Sequence, residues 1–189
     1  SPSDDLDVRT ILSQLDDPDS FLLKDPRMVL TWPSWEGCLG NELLLFVYRN
    51  PLSVAESLKK RNGFPLLLGL ALWEYYNLQA LEIIEGSDSE AVSFDEIAAS
   101  PEKALSELLE KLRNKGLELT GSLAEGLFDN SLGNSGKDAE EGTSKLLTLS
   151  QQQLARYCES LCIPGSSCVP FPGKDDSLVE RINDLAQAL

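Results

Sequence analysis

The sequence predicts an α/β fold built on a parallel sheet. Three observations carry this. Short apolar runs alternate with longer stretches of helical periodicity. One of those runs, Leu43 to Tyr48 (LLLFVY), is apolar throughout, as expected for a strand buried on both faces. Two of the helical stretches open on a cap residue followed by proline, at Asn50-Pro51 and at Ser100-Pro101. A chain of 189 residues suits one domain with a real core, and residues 1–189 are read as one.

Taken in order, Phe21-Leu22-Leu23 is a short strand candidate and Leu43–Tyr48 the principal one. Leu52 to Arg61 follows as a helix. Pro65 to Ile84 is a long helix with Leu66, Leu70, Trp73 and Leu81 at helical spacing. Ala91-Val92-Ser93-Phe94 is a weaker strand. A helix runs from the Ser100 cap to about Lys115, where Gly116 stops it. Residues 129–144 (DNSLGNSGKDAEEGTS) have almost nothing to bury and read as a loop. Helices are expected near Leu149–Leu161 and Ser177–Leu189, joined by a Pro/Gly-rich connector from Pro164 to Gly173.

Composition excludes several classes. A net charge of −15 leaves no basic footprint for displacing counterions from nucleic-acid phosphates. The absence of His removes every mechanism that needs imidazole. No GxxxxGK[ST] occurs, which disfavours a nucleotide kinase. The most apolar stretch, Asn62 to Trp73, is uncharged for 12 residues, against roughly 20 for a bilayer span. With no membrane span and no signal segment, a cytoplasmic location is expected. Cys158, Cys162 and Cys168 lack a second ligand pair at zinc spacing, and nothing in the sequence requires a metal. A Cys162–Cys168 disulfide needs an oxidising compartment; otherwise the thiols are reduced and semi-buried. The chain begins with Ser1 rather than Met, and removal of something upstream is expected.

The charge is unevenly spread. Residues 1–19 hold six Asp and one Arg, and residues 82–102 hold seven acids and no base. Residues 20–64 carry six bases against four acids, a positive island in an acidic chain. Within it, a buried strand runs into Arg49, then turns through Asn50-Pro51 into a helix carrying Ser53 and Ser57. Ligands of open parallel sheets gather beyond the carboxyl ends of the strands. A guanidinium there offers a fork to phosphate oxygens, the helix N-terminus adds free N–H groups, and a hydroxyl adds one hydrogen bond. The alternative is that Arg49 caps carbonyls or pairs with an acid, with Ser57 a small packing residue. Lys59, Lys60 and Arg61 form either an anion-attracting patch or a solvated helix face.

Arg-Asn-Pro with Ser eight residues after the Arg, following an apolar strand, resembles the 3′-phosphate motif of sulfotransferases that use 3′-phosphoadenosine 5′-phosphosulfate (PAPS). Phe21-Leu22-Leu23-Lys24-Asp25-Pro26-Arg27 is similar to the KDPR stretch of bacterial members. Gly63-Phe64-Pro65, Leu72 to Asn77 and Val92 to Ile97 look like later blocks. The likeness covers about residues 20–115. It implies a three-layer parallel sheet of the P-loop nucleotide-hydrolase type, and transfer of a sulfuryl group from PAPS to a hydroxyl or amine of a small-molecule or glycan acceptor. It implies that Arg49 and Ser57 hold the 3′-phosphate and that Lys24 approaches the transferring group. Asp25 is the nearest candidate base, with Asp95 another; Asp25 is alternatively a turn residue, and Arg27 its ion-pair partner. Trp73, Tyr75 and Tyr76 are expected to pack in the core.

Two departures matter. Residues 1–19 contain no Gly and no Lys, so the loop that grips the 5′-phosphosulfate is expected to be missing together with the first strand. The residues after Lys24 read Asp-Pro-Arg, where many relatives place a catalytic His. The chain by itself is therefore expected to be inactive or nearly so. The alternative function is a non-catalytic sulfotransferase-like interaction module.

Overall fold

The computed structural model describes residues 8–15, 21–119, 144–163, 169–173 and 177–188. Their order is α1 (Val8–Leu12), α2 (Met28–Trp35), β1 (Leu44–Tyr48), α3 (Pro51–Asn62), α4 (Leu66–Ile84), β2 (Ser89–Ser93), α5 (Phe94–Ala99), α6 (Pro101–Asn114), α7 (Leu149–Cys162) and α8 (Leu178–Gln187). A short 3-10 turn, Ser144–Leu146, precedes α7. The fold is mixed α/β: mostly helices around a small sheet of two parallel strands.

The strands run in register, with Leu44 opposite Ser89 and Tyr48 opposite Ser93. Parallel pairing demands a long crossover, here supplied by α3 and α4. Phe46 and Tyr48 of β1 and Ala91 of β2 face one core. That core is completed by Ala71, Trp73, Leu78 and Leu81 of α4, Leu154, Cys158 and Cys162 of α7, and Leu178 of α8. The rings of Tyr48 and Trp73 meet edge-on at 6.4 Å.

β1 is not buried on both faces as its apolar run predicts. Leu45 and Val47 are 40% and 51% exposed. The reason lies in what packs where. Helices α4 and α7 cover the Phe46 face, whereas α6 packs on the β2 side, where Val92 is buried. An apolar run by itself cannot say whether a second layer is present. Phe21-Leu22-Leu23 forms no strand either: it has no ladder partner among the described residues, and Leu22 is 88% exposed. Between this segment, β1 and the Tyr76–Ile84 side of α4 lies a groove of about 460 Å³.

Helix α4, the longest among the described residues, organises the molecule. Its Gly69 lies so close to α3 that a Cβ there would stand 2.8 Å from the Ala55 Cα. Its Glu74, 1% exposed, accepts hydrogen bonds from Ser150 Oγ and Gln151 Nε2 of α7 and pairs with Arg181 of α8. A buried carboxylate is tolerable only with such partners. Thr148 and Gln151 form a reciprocal capping box that starts α7 beside it. The acids of β2 are matched as well: Lys111 pairs with Glu90, and Lys115 with Asp88 and Glu90.

Of the two thiol readings, the described residues show reduced thiols. Cys158 and Cys162 are buried free thiols, and Cys168 lies outside the described residues. Burial pushes Cys158 up to about 12 and Cys162 up to about 11, so neither ionises near neutrality. No helix among the described residues is long and apolar enough to cross a membrane. The predicted loop at 129–144 lies outside the described residues up to position 143.

Two substitutions test this packing. Gly69→Ala forces α3 and α4 apart and is expected to cost about 1–3 kcal/mol, read as a lower urea midpoint at unchanged slope. Arg181→Met leaves the Glu74 carboxylate buried without its cation; a loss of about 3 kcal/mol is expected, read by the same titration.

Candidate functional site

Because β1 and β2 are parallel and in register, their carboxyl ends lie side by side. Arg49 and Asn50 leave the first, and Phe94 and Asp95 leave the second. The two exits are joined. Asn50 N–H donates to Asp95 Oδ2 at 3.1 Å. The Arg49 guanidinium carbon lies 4.5 Å from the centre of the Phe94 ring. From α4, Trp73 Nε1–H donates to the Arg49 carbonyl at 3.0 Å. Trp73 is thus a core residue, as its helical position predicts, and also a clamp on the site loop.

Arg49 forms no ion pair with any described carboxylate, and its Nε is buried with no hydrogen-bond partner. A buried donor on a charged group costs about 1–3 kcal/mol when unpaired. Native structures keep few such atoms, and strain, a functional role or a bound water or ion accounts for those they keep. The alternative in which Arg49 pairs with an acid is not realised among the described residues.

The turn that follows is built as its sequence predicts. Asn50 Oδ1 accepts from Leu52 N–H at 3.0 Å and Ser53 N–H at 3.4 Å, and Pro51 takes the first helical position. This corrects one expectation. The N–H groups of Leu52 and Ser53, read as free for a ligand, are taken by Asn50 itself. What the α3 terminus can still lend is its positive partial charge. Ser53 is buried, while Ser57, one turn later, is exposed and has no hydrogen-bond partner among the described residues. Lys59, Lys60 and Arg61 are exposed in the last turn of α3, where cations suit the helix dipole.

Lys24 and Asp25 stand apart from this cluster. No hydrogen bond or ion pair links either to Arg49 or Ser57. Lys24 is exposed on the rim of the apolar groove beside β1. Asp25 is a turn residue: its Oδ1 accepts the Arg27 backbone N–H at 2.8 Å, and Met28 N–H bonds to its carbonyl, which starts α2. Its carboxylate also grips the Arg27 side chain, with Nη2 2.6 Å from Oδ2. The Arg27 guanidinium holds the Asp25 carboxyl at about 2, and Asp25 in turn raises the Arg27 pKa.

Sequence reasoning passed over two features of the site. Phe94 reads as the last residue of a strand, but Ser93 caps α5 through Glu96 N–H and turns Phe94 onto Arg49. The Tyr48 hydroxyl donates to Glu159 at 3.1 Å, and burial together with that carboxylate pushes the phenol above its ordinary range. Ser-Phe-Asp-Glu, a Ser followed three residues later by Glu, is the signal that marks this helix start. Among the described residues no group of three or more His, Cys, Asp or Glu is arranged to hold a metal ion. No family model matches the chain, and comparison with curated proteins and with solved structures returns no match.

The Asp25–Arg27 pair sets a pH dependence. A carboxyl whose folded value is depressed adds stability above the ordinary Asp range, and loses it as the pH falls through the folded value. Arg27→Ala is expected to raise the Asp25 carboxyl carbon titration, followed by NMR, from about 2 only part of the way toward the ordinary 3.8, because the backbone N–H of residue 27 still donates to Asp25 Oδ1. An unmoved midpoint would remove Arg27 as the cause.

Proposed function

We propose that this chain carries the 3′-phosphate-binding part of a PAPS-dependent sulfotransferase. The observation that supports it best is Arg49, a guanidinium at the carboxyl end of a parallel strand with a buried, unpartnered Nε and no carboxylate partner among the described residues. An oxyanion at that position is the chemistry that satisfies such a group. On this reading Ser57, exposed two turns into α3, adds a hydroxyl to the same phosphate. The sheet is then the part present here of a larger three-layer P-loop-type sheet.

The parent reaction breaks the bond between sulfur and the bridging oxygen of PAPS. It forms a new bond from sulfur to an acceptor hydroxyl or amine, and releases adenosine 3′,5′-bisphosphate and a proton. Such transfers depend on positioning and electrostatic stabilisation. Lys24, exposed and without an ion pair among the described residues, is the residue we assign to the charge that develops on the bridging oxygen. Asp25, held at about 2, is a weak base at neutral pH, so its place in this scheme is the turn that presents Lys24.

A second reading rests on the uncovered apolar face of β1 at Leu45 and Val47. It makes the domain a non-catalytic interaction module on the same scaffold and requires no nucleotide binding. Calorimetry with adenosine 3′,5′-bisphosphate separates the two. The expected outcome is binding by the chain, abolished in Arg49→Ala and weakened about tenfold in Ser57→Ala, in keeping with the loss of one charge-assisted hydrogen bond. Unchanged affinity in Arg49→Ala would overturn the site, and absence of binding to the unaltered chain would favour the module.

A further inference from the structure

We infer that Phe94 is a positioning residue that orients Arg49 for an arriving phosphate; this rests on the phosphate reading of Arg49 given above. Three contacts from three elements converge on the Arg49–Asn50 exit. Trp73 of α4 fixes the Arg49 carbonyl, Asp95 of α5 fixes the next amide, and the Phe94 ring lies under the guanidinium. The first two hold main chain only. No hydrogen bond or ion pair from a described residue holds the side chain; the Phe94 ring, 4.5 Å from the guanidinium carbon, is the contact that orients its face.

The geometry has a chemical consequence. An arginine loses much rotamer freedom when it grips a ligand, and ordering it beforehand removes that cost from binding. A ring against the flat face of the guanidinium does so without occupying an N–H. It also leaves the N–H donors in the guanidinium plane without a partner among the described residues and open to oxyanion oxygens, with the terminal Nη groups the ones not buried. A carboxylate partner would order Arg49 equally well but would occupy the donors and repel the phosphate. An aromatic ring avoids both effects. Phe94 is available because Ser93 ends β2 and caps α5 at the residue level with Tyr48 of β1.

The test must separate ring electronics from packing. Fluorination of Phe94 at one, two and three ring positions, by site-specific incorporation, keeps its shape while weakening the negative face. Affinity for adenosine 3′,5′-bisphosphate is expected to fall stepwise, by about three- to tenfold across the series. Phe94→Tyr and Phe94→Trp are expected to retain binding, while Phe94→Leu loses as much as the trifluoro ring. The thermal midpoint is expected to stay level across the fluorinated set, and the Arg49 Nε–H resonance to move with each step. Flat affinity across the series, with Arg49→Ala still abolishing binding, would overturn the role of Phe94 and leave the phosphate site standing. No bisphosphate binding by the unaltered chain, or undiminished binding in Arg49→Ala, would overturn the phosphate reading and this inference with it.

Discussion

The parallel ladder between β1 and β2 is the constraint on which the site depends. Five residue pairs in register, Leu44–Ser89 to Tyr48–Ser93, bring two distant stretches of chain out at the same end. Had the strands been antiparallel, Phe94 and Asp95 would leave at the opposite end from Arg49. With them parallel, the exits interlock through a ring under a guanidinium and a carboxylate on an amide. The crossover that parallel pairing requires brings α4 back across the sheet, and so places Trp73 within hydrogen-bond reach of Arg49.

Helix α4 is accordingly both spine and clamp. One face meets α3 at Gly69, which keeps the helix carrying Ser57 close enough for the β1–α3 turn to be short. Another buries Trp73, Leu78 and Leu81 against the strands. A third holds the Glu74 carboxylate that ties α7 and α8 to the rest. Those ties matter to the site indirectly. α7 closes the core over Phe46 and Tyr48, so the strand that delivers Arg49 is packed up to its last residue.

Much of this was legible in the sequence where local chemistry decides the outcome. Asn50-Pro51 is a cap and a first-turn proline, and α3 starts there as read. The periodic stretch after Pro65 is α4, and the acidic Ala91–Val92 region contains β2. Failures came where the deciding interaction is distant. The residues of Phe21–Leu23 are apolar enough for a strand but have no ladder partner among the described residues, and no local pattern reveals that. Leu45 and Val47 read as buried because an apolar run cannot report which layers exist. α2 was missed because Pro33 interrupts its eight residues, while the signal that starts it is the Asp25 side chain bonding the Arg27 amide. Arg49 and Ser57 are candidates the sequence offers from the strand end and the resemblance, whereas the orphaned Nε and the Phe94 ring depend on long-range geometry.

The acidic excess of the chain bears on anion binding less than its size suggests. Several of the carboxylates nearest the sheet are already matched: Asp88 and Glu90 by Lys115 and Lys111, Glu74 by Arg181. Away from the sheet, Asp25 is matched by Arg27. Asp95 and Glu159 have no cation partner among the described residues: an Asp95 oxygen serves the Asn50 amide, and Glu159 takes the Tyr48 hydroxyl. The exit of the sheet therefore holds one guanidinium beside two carboxylates, Asp95 and Glu159, and carries no net positive charge to draw an anion in. Diffuse attraction between such a site and an anion is weak and screened within about 8 Å at physiological salt. Whatever holds an oxyanion there has to be directional. On the phosphate reading, that requirement suits a planar cation with a ring against its face, because a lysine at the same position would supply charge without a fixed direction.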